Sequence, residues 1–233
     1  MTAATEILKK RGCVKEFFQL LWLNVVVTKR NFVEYIKVVF RYYSNFSFMK
    51  TDISLLTHYL FKNPFRMSKH FLVKKGEEEV YAYGETPLTT LEMIAKECAI
   101  TPDDTVFELG SGRGRNCFWL HHFIGCKVVG IEWVPSFVRH ANSVQKEISF
   151  RHEDMFESDL SGATVIYLYG TSLSDDKIKK LSQKLSSLPP GTRIITVSYP
   201  LSDYCPEGPF EVMRLFPAKF TWGKADVYLQ VIK

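Results

Sequence analysis

The sequence predicts an α/β protein: a doubly wound, mostly parallel sheet of seven strands with an antiparallel hairpin at one edge, preceded by an N-terminal helical extension. Three observations carry that prediction. The apolar run Val106-Phe107-Glu108-Leu109 ends in Gly110-Ser111-Gly112-Arg113-Gly114-Arg115-Asn116 and then enters a helix, the strand–turn–helix geometry of a nucleotide site. Apolar strands alternate with helical patterns from there to Ser198. The closing strands Glu211–Phe216 and Asp226–Ile232, joined through Phe220-Thr221-Trp222-Gly223-Lys224, read as a hairpin on an otherwise parallel sheet.

In chain order, Thr5 to about Tyr43 reads as two helices separated by the polar break Thr28-Lys29-Arg30-Asn31. A short helix is expected from Asp52 to Phe61, with Asn63-Pro64 interrupting the chain. Lys74 to Glu79 is a charged, glycine-containing linker, so the boundary falls between a basic, aromatic helical extension, 1–75, and a second domain, 76–233. Tyr81 to Leu88 leads into an amphipathic helix, Thr89 to Cys98, and Thr101-Pro102-Asp103-Asp104 turns into the first strand. Lys127 to Glu132 is the second strand, and Val134-Pro135-Ser136 opens a helix to about Gln145. Ile148 to His152 is a short strand, and Thr164 to Tyr169 is apolar throughout, as in a parallel strand covered on both faces. A helix from Asp175 to Leu188 ends at Pro189-Pro190-Gly191 before the strand Thr192 to Ser198.

The 233 residues, 46% hydrophobic and 24% charged, suit one ordinary globular domain with a substantial addition. Five scattered cysteines with no CxxC pair argue against a disulfide framework and a zinc site, and favour a reducing, intracellular, cytoplasmic setting. Met1 to Arg11 lacks the apolar core of a signal peptide, and the longest uncharged run, Phe17 to Thr28, is too short to span a bilayer. The net charge of +5 is uneven: Met1 to Lys75 holds fourteen Lys and Arg against four Asp and Glu, leaving the rest of the chain acidic. The basic third has three readings: a helical cap shaping the site, a surface for an anionic partner, or a peripheral membrane contact.

The acid before the glycines selects the ligand. A carboxylate two residues before the first glycine would repel a pyrophosphate, so Glu108 suits a nucleotide with a cationic end. S-adenosylmethionine, with an amino group, a sulfonium and no phosphate, meets that condition. A second acid is expected at the end of the next strand for the ribose hydroxyls, and Glu132 stands there.

These residues resemble the class I S-adenosylmethionine-dependent methyltransferases, whose E/D-x-G-x-G-x-G element is matched by Glu108, Gly110, Gly112 and Gly114. Tyr83-Gly84-Glu85-Thr86, Asp103-Asp104 and the closing Thr221-Trp222-Gly223-Lys224 are similar to the Dot1-type protein lysine methyltransferases, over roughly Tyr81 to Lys233. The resemblance implies a Rossmann-like methyltransferase sheet and S-adenosylmethionine as cofactor. It implies that Tyr83, Glu85, Thr86 and Tyr169 line the methionine end and that Glu108 holds the amino group, with Gly110, Ser111, Gly112, Gly114 and Asn116 forming the loop. Glu132 would then take the ribose, and Asp154, Met155 and Phe156 would enclose adenine. Where Dot1 enzymes carry Asn-Asn-Phe, this chain has Tyr169-Gly170-Thr171. It is equally similar to a small branch of membrane-associated mitochondrial and prokaryotic lysine methyltransferases that lack that segment.

The implied reaction is methylation of a lysine side chain on a protein substrate, with Tyr83, Tyr169 and Trp222 as the catalytic wall and Tyr199 as a further candidate. Such a wall would lower the acceptor's pKa by desolvation and hold a cationic amine on its ring faces. Two other classes remain open: methylation of a small molecule or RNA on the same fold, and a non-catalytic module that binds the cofactor. Tyr169-Gly170-Thr171-Ser172 is not the Asn/Asp-Pro-Pro-Tyr/Phe motif of nucleic-acid amino-methylating enzymes. No metal is expected, because His121 and His122, adjacent on a helix, diverge. Arg113 and Arg115 read as exposed loop side chains or as contacts for an acidic substrate group, and Cys117 and Cys126 as core residues.

Overall fold

The computed structural model describes Trp22 and residues 25–233. Five parallel strands, β1 (Thr105–Leu109), β2 (Lys127–Glu132), β3 (Ser149–His152), β4 (Val165–Leu168) and β5 (Arg193–Val197), join β6 (Phe210–Lys219) and β7 (Lys224–Ile232) in the order β3-β2-β1-β4-β5-β7-β6. β7 runs antiparallel to β5, and β6 antiparallel to β7. The order reverses between β1 and β4, which opens a crevice at the carboxyl ends of those strands.

Alternate residues of each strand face opposite layers. Val106, Val128, Val165, Tyr167 and Ile195 pack on one face in a core with Val38, Phe48, Leu91, Phe118 and Phe137. Phe107, Leu109, Val129, Ile131, Ile166 and Ile194 pack under α7 (Asp175–Leu185) and the loop after β3. Burial on both faces is the physical reason these strands are almost wholly apolar.

The N-terminal helices differ from expectation. α1 is helical over residues 25–42, straight through Thr28-Lys29-Arg30-Asn31. Those four residues are exposed and include neither glycine nor proline, so their polarity marks a solvent face and not a break. The part of the extension before Trp22 lies outside the described residues.

α2 (Phe46–His58) begins earlier than Asp52, where the Asn45 side chain accepts the Phe48 N–H at 3.0 Å. Asn63-Pro64 starts a helix and does not merely interrupt the chain. α3 (Pro64–Lys75) is capped by Asn63, whose side chain accepts the Phe65 N–H at 2.9 Å, and it ends at the left-handed Gly76.

α4 (Leu88–Glu97), α5 (Arg115–Trp119) and α6 (Pro135–Val144) stand close to expectation, and the residues after α5 continue as a π turn, Leu120–Ile124. His121 and His122 lie on that turn, and among the described residues no group of His, Cys, Asp and Glu could hold a metal ion.

The extension and the sheet share one core. Val38, Tyr42, Phe48 and Leu55 are buried with Leu88, Phe118 and Trp119. Tyr42 sits edge-on to Trp119 at 5.8 Å and donates its hydroxyl to Glu92 at 2.5 Å. The Arg115 guanidinium grips the Asp52 carboxylate through two hydrogen bonds of 2.7 and 2.8 Å, fixing α2 to the first turn of α5. On the other side of α2, His58 stacks on His140 of α6 at 3.5 Å.

Removing one partner of a buried, bidentate pair strands the other charge. Asp52→Ala is therefore expected to cost roughly 3 kcal/mol of stability in urea unfolding; an unchanged midpoint would show that the pair is not a structural tie. The His58–His140 stack yields a pH dependence. Burial, then the positive charges around the stack, lower both imidazoles from 6.5, His140 to about 4. His140 faces His58 and Tyr59, and feels Lys62 and Arg113. A folded-state pKa below the unfolded one means that this contribution is complete above pH 6.5 and is lost as the pH falls towards 4. His140→Phe should flatten the acid limb of the stability profile between those values, read by thermal unfolding from pH 4 to 7.

Candidate active site

The glycine loop is tied to the end of β2. The Gly110 and Ser111 N–H groups donate to the Ile131 carbonyl at 2.9 and 3.0 Å, and the Gly112 N–H donates to the Glu132 carboxylate at 2.7 Å. All three glycines have positive φ, at +76°, +54° and +81°. Their roles differ. A Cβ at Gly110 would meet only the Met155 methyl, at 3.7 Å, so backbone there faces open space. At Gly114 a Cβ would stand 2.5 Å from the Phe150 ring, so this glycine lets α5 close on β3.

The loop borders a cavity of about 330 Å³ at the crevice between β1 and β4. Gly110, Gly112, Glu132, Asp154, Met155 and Phe156 line it, with Tyr83 and Tyr169 at its other end. Glu132 is held ready by the Gly112 and Val134 N–H groups, each at 2.7 Å on a different carboxylate oxygen, and burial raises its pKa. Each oxygen keeps a lone pair for a hydroxyl.

On the far side, one Asp154 oxygen caps its own turn by accepting the Phe156 N–H at 2.9 Å. Next to it, Glu153 also lines the cavity, and its Oε2 is sealed from solvent with no hydrogen-bond partner. A buried orphan acceptor signals a donor yet to arrive. Sequence reasoning passed over Glu153, whose signal is a second acid directly before Asp154.

Several expected ligands stand behind the cavity, not in it. Glu108 is buried and does not line the cavity: it accepts from Asn116 Nδ2 at 2.7 Å and from the Cys117 thiol at 3.0 Å, and burial pushes its pKa up to about 7. Glu108 and Asn116 therefore brace the loop by joining β1 to α5. Ser111 is buried and likewise off the cavity, with its hydroxyl unpartnered.

Glu85 is clamped by Arg113 through two hydrogen bonds of 2.6 Å and also accepts the Tyr83 hydroxyl. Burial opposes its charge, yet the Arg113 pair outweighs it and holds the carboxyl below the usual range. Thr86 shares a hydrogen bond with the Tyr167 hydroxyl at 2.5 Å. Arg113, buried, and Arg115, partly buried, are thus ion-pair partners, in contrast to the exposed loop side chains expected.

A second cavity, of about 740 Å³, lies on the other side of Tyr83 and Tyr169. Ala82, Tyr83, Gly84, Tyr169 and Ser172 line both cavities and so form the wall between them. The wall is tight, since a Cβ at Gly84 would stand 2.8 Å from the Tyr169 ring. Trp222, on the β6–β7 turn, donates its indole N–H to the Tyr169 hydroxyl at 2.6 Å, and Phe220 stacks on both rings at 5.4 and 5.5 Å. Glu85, Thr86 and Trp222 line this second cavity and not the first, as do Glu34 and Tyr35 of α1. Tyr199 is elsewhere: it is buried, with its hydroxyl on the Gly170 carbonyl at 3.2 Å.

Comparison with known proteins agrees with this geometry. The ANTKMT methyltransferase domain matches residues 108–208. A protein-lysine N-methyltransferase of Saccharolobus islandicus (strain REY15A) is 27% identical over 157 residues, 64% of this chain and 92% of that one. The crystal structure of an RNA methyltransferase from Salinibacter ruber with S-adenosyl-L-homocysteine is similar at a TM-score of 0.53 and 27% identity, over 64% of this chain and 94% of that one. Magnesium protoporphyrin IX methyltransferase of Synechocystis PCC 6803, with bound S-adenosylmethionine, shares the fold at a TM-score of 0.55 and 12% identity, over 73% and 98% of the two chains. Strand order, glycine loop, acid-anchored cavity and these likenesses together make the chain a class I S-adenosylmethionine-dependent methyltransferase.

Proposed function

We propose that the methyl acceptor is a lysine side chain of a protein. The observation that carries the reading is the second cavity: rich in aromatic rings, bordered by Glu34 and Glu85 with Arg113 and Arg115, and divided from the cofactor cavity by the wall of Ala82, Tyr83, Gly84, Tyr169 and Ser172. The Saccharolobus relative named as a protein-lysine N-methyltransferase supports it, as does the Dot1-type likeness of Tyr83-Gly84-Glu85-Thr86 and Thr221-Trp222-Gly223-Lys224. Tyr169-Gly170-Thr171 in place of Asn-Asn-Phe points to a protein other than a histone.

The residues present fit the cofactor. Glu132 offers two oxygens to vicinal hydroxyls, Gly110 leaves the backbone open, and the Glu153 orphan oxygen awaits a donor such as an amino group. When bound, S-adenosylmethionine supplies an electrophilic methyl group on a sulfonium. The rest falls to the chain. Tyr83 and Tyr169 position the acceptor amine and exclude water, which favours its neutral, nucleophilic form. Burial raises the pKa of both phenols, Tyr83 furthest, so neither serves as a base near neutrality. Glu85, ionised and paired with Arg113, is also a poor base. The acceptor therefore sheds its proton to solvent through the second cavity before it is seated.

A second reading, RNA as acceptor, is favoured by the Salinibacter neighbour. Incubation with labelled S-adenosylmethionine and separate protein and RNA fractions decides between them. Label in protein, identified as methyl-lysine by mass spectrometry, is the expected outcome; label confined to RNA would sink the lysine reading.

Two variants test the site. Glu132→Ala should weaken S-adenosylhomocysteine binding about 100-fold by calorimetry, roughly 3 kcal/mol for two charge-assisted hydrogen bonds. An affinity that stays the same in folded variant protein would remove Glu132 from the cofactor site. Trp222→Phe keeps the stacking and removes the donor to Tyr169. It should lower kcat about tenfold with cofactor affinity unchanged; an equal loss of cofactor affinity would assign Trp222 to the wrong cavity.

A further inference from the structure

The second cavity does not end at α1. Beyond Glu34, Pro87 and Thr221, which it shares with a neighbouring groove, the surface continues between α1, α4 and the β6–β7 turn. The groove encloses about 660 Å³. Its floor is apolar, with Val26, Val33, Met93 and Phe220, and Val33 is left 41% exposed on α1. Lys29, Arg30 and Lys37 of α1 and Lys219 of β6 also line it.

The single acid of the groove is already committed. The Glu34 carboxylate accepts the Thr89 N–H at 3.0 Å and the Thr89 hydroxyl at 2.8 Å. Arg30 donates to the Thr221 carbonyl at 3.1 Å, which closes the seam between α1 and the β6–β7 turn. Lys29, Lys37 and Lys219 form no ion pair among the described residues. Cations around an apolar trough select a ligand with an apolar side chain and carboxylates beside it.

We propose that this groove seats the segment of the substrate protein that flanks the methylated lysine, and that it selects acidic residues next to an apolar one. The inference rests on the lysine reading above. Continuity gives the register: a chain whose lysine enters the second cavity past Thr86 and Trp222 must leave across Pro87 and Thr221, onto the groove. Glu34 stands at the junction and, with its carboxylate turned to Thr89, contributes to orienting α1 and not to binding the flank. α1 thus acts as a specificity element, while the chemistry stays with the sheet.

The test uses the full chain and lysine peptides that differ only in their flanks: Asp/Glu with Leu, Lys/Arg with Leu, or Ser/Gly. Acidic flanks should raise kcat/KM about tenfold over basic ones, mainly through KM, because flank contacts made equally in the ground and transition states change binding. The triple variant Lys29→Glu, Lys37→Glu, Lys219→Glu should reverse the preference with S-adenosylhomocysteine affinity unchanged, which also certifies its fold. Lysine methylation indifferent to the flanks, or a preference that survives the triple variant, would overturn the groove alone. Methylation of no lysine peptide or protein, with cofactor binding intact and label in RNA, would overturn the lysine reading beneath it. If the triple variant loses only binding to phosphatidylserine vesicles, with peptide selectivity untouched, the cations serve a lipid surface and the proposal fails.

Discussion

The site depends on a knot of hydrogen bonds from the backbone N–H groups of the glycine loop to the end of β2. Gly110, Ser111 and Gly112 all donate to Ile131 or Glu132, so the loop cannot move without the second strand. This knot does two jobs. It satisfies N–H groups that would otherwise be stranded at a buried loop, and it presents the Glu132 carboxylate at a fixed position without recruiting another side chain. Glu108 reinforces it from behind through Asn116 and Cys117, an apolar-buried carboxylate used as a brace.

Around that knot two arginines are held in largely shielded ion pairs. Arg113 holds Glu85, and with it the Tyr83 hydroxyl; Arg115 holds Asp52, and with it α2. Two arginines, one on the glycine loop and one on the first turn of α5, thus connect this segment to the tyrosine wall and to the N-terminal helices. Such pairs contribute little net stability compared with an apolar replacement, but each fixes one orientation because a lone buried charge is costly. The described N-terminal helices are therefore fastened to the segment that carries the glycine loop, and α1 supplies one side of the second cavity.

Much of this was legible in the sequence, for physical reasons that can be named. The central strands were readable because double burial makes β1, β2, β4 and β5 mostly apolar, and Glu132 stands out as the acid that ends the second strand beside the crevice. α3 was missed because Asn63-Pro64 was read as a stop, although asparagine at a cap followed by proline at the first position is a start. The break expected at Thr28-Lys29-Arg30-Asn31 failed for the converse reason: polar residues on an exposed face leave the helical hydrogen bonds intact. Glu85 and Arg113 could not be paired by inspection, since 28 residues separate them, nor Asp52 and Arg115, separated by 63. Of the two adjacent acids after β3 the sequence pointed to Asp154, yet one Asp154 oxygen is spent on its own turn while Glu153 keeps an unpartnered one, a difference decided by a single local hydrogen bond.

The partition formed by Ala82, Tyr83, Gly84, Tyr169 and Ser172 belongs to both cavities at once. With the Tyr169 ring set against Gly84 and its hydroxyl held by Trp222, this partition has no slack on either side. A substitution that thickens or thins it therefore redraws two chambers together, and neither can be resized alone from this side.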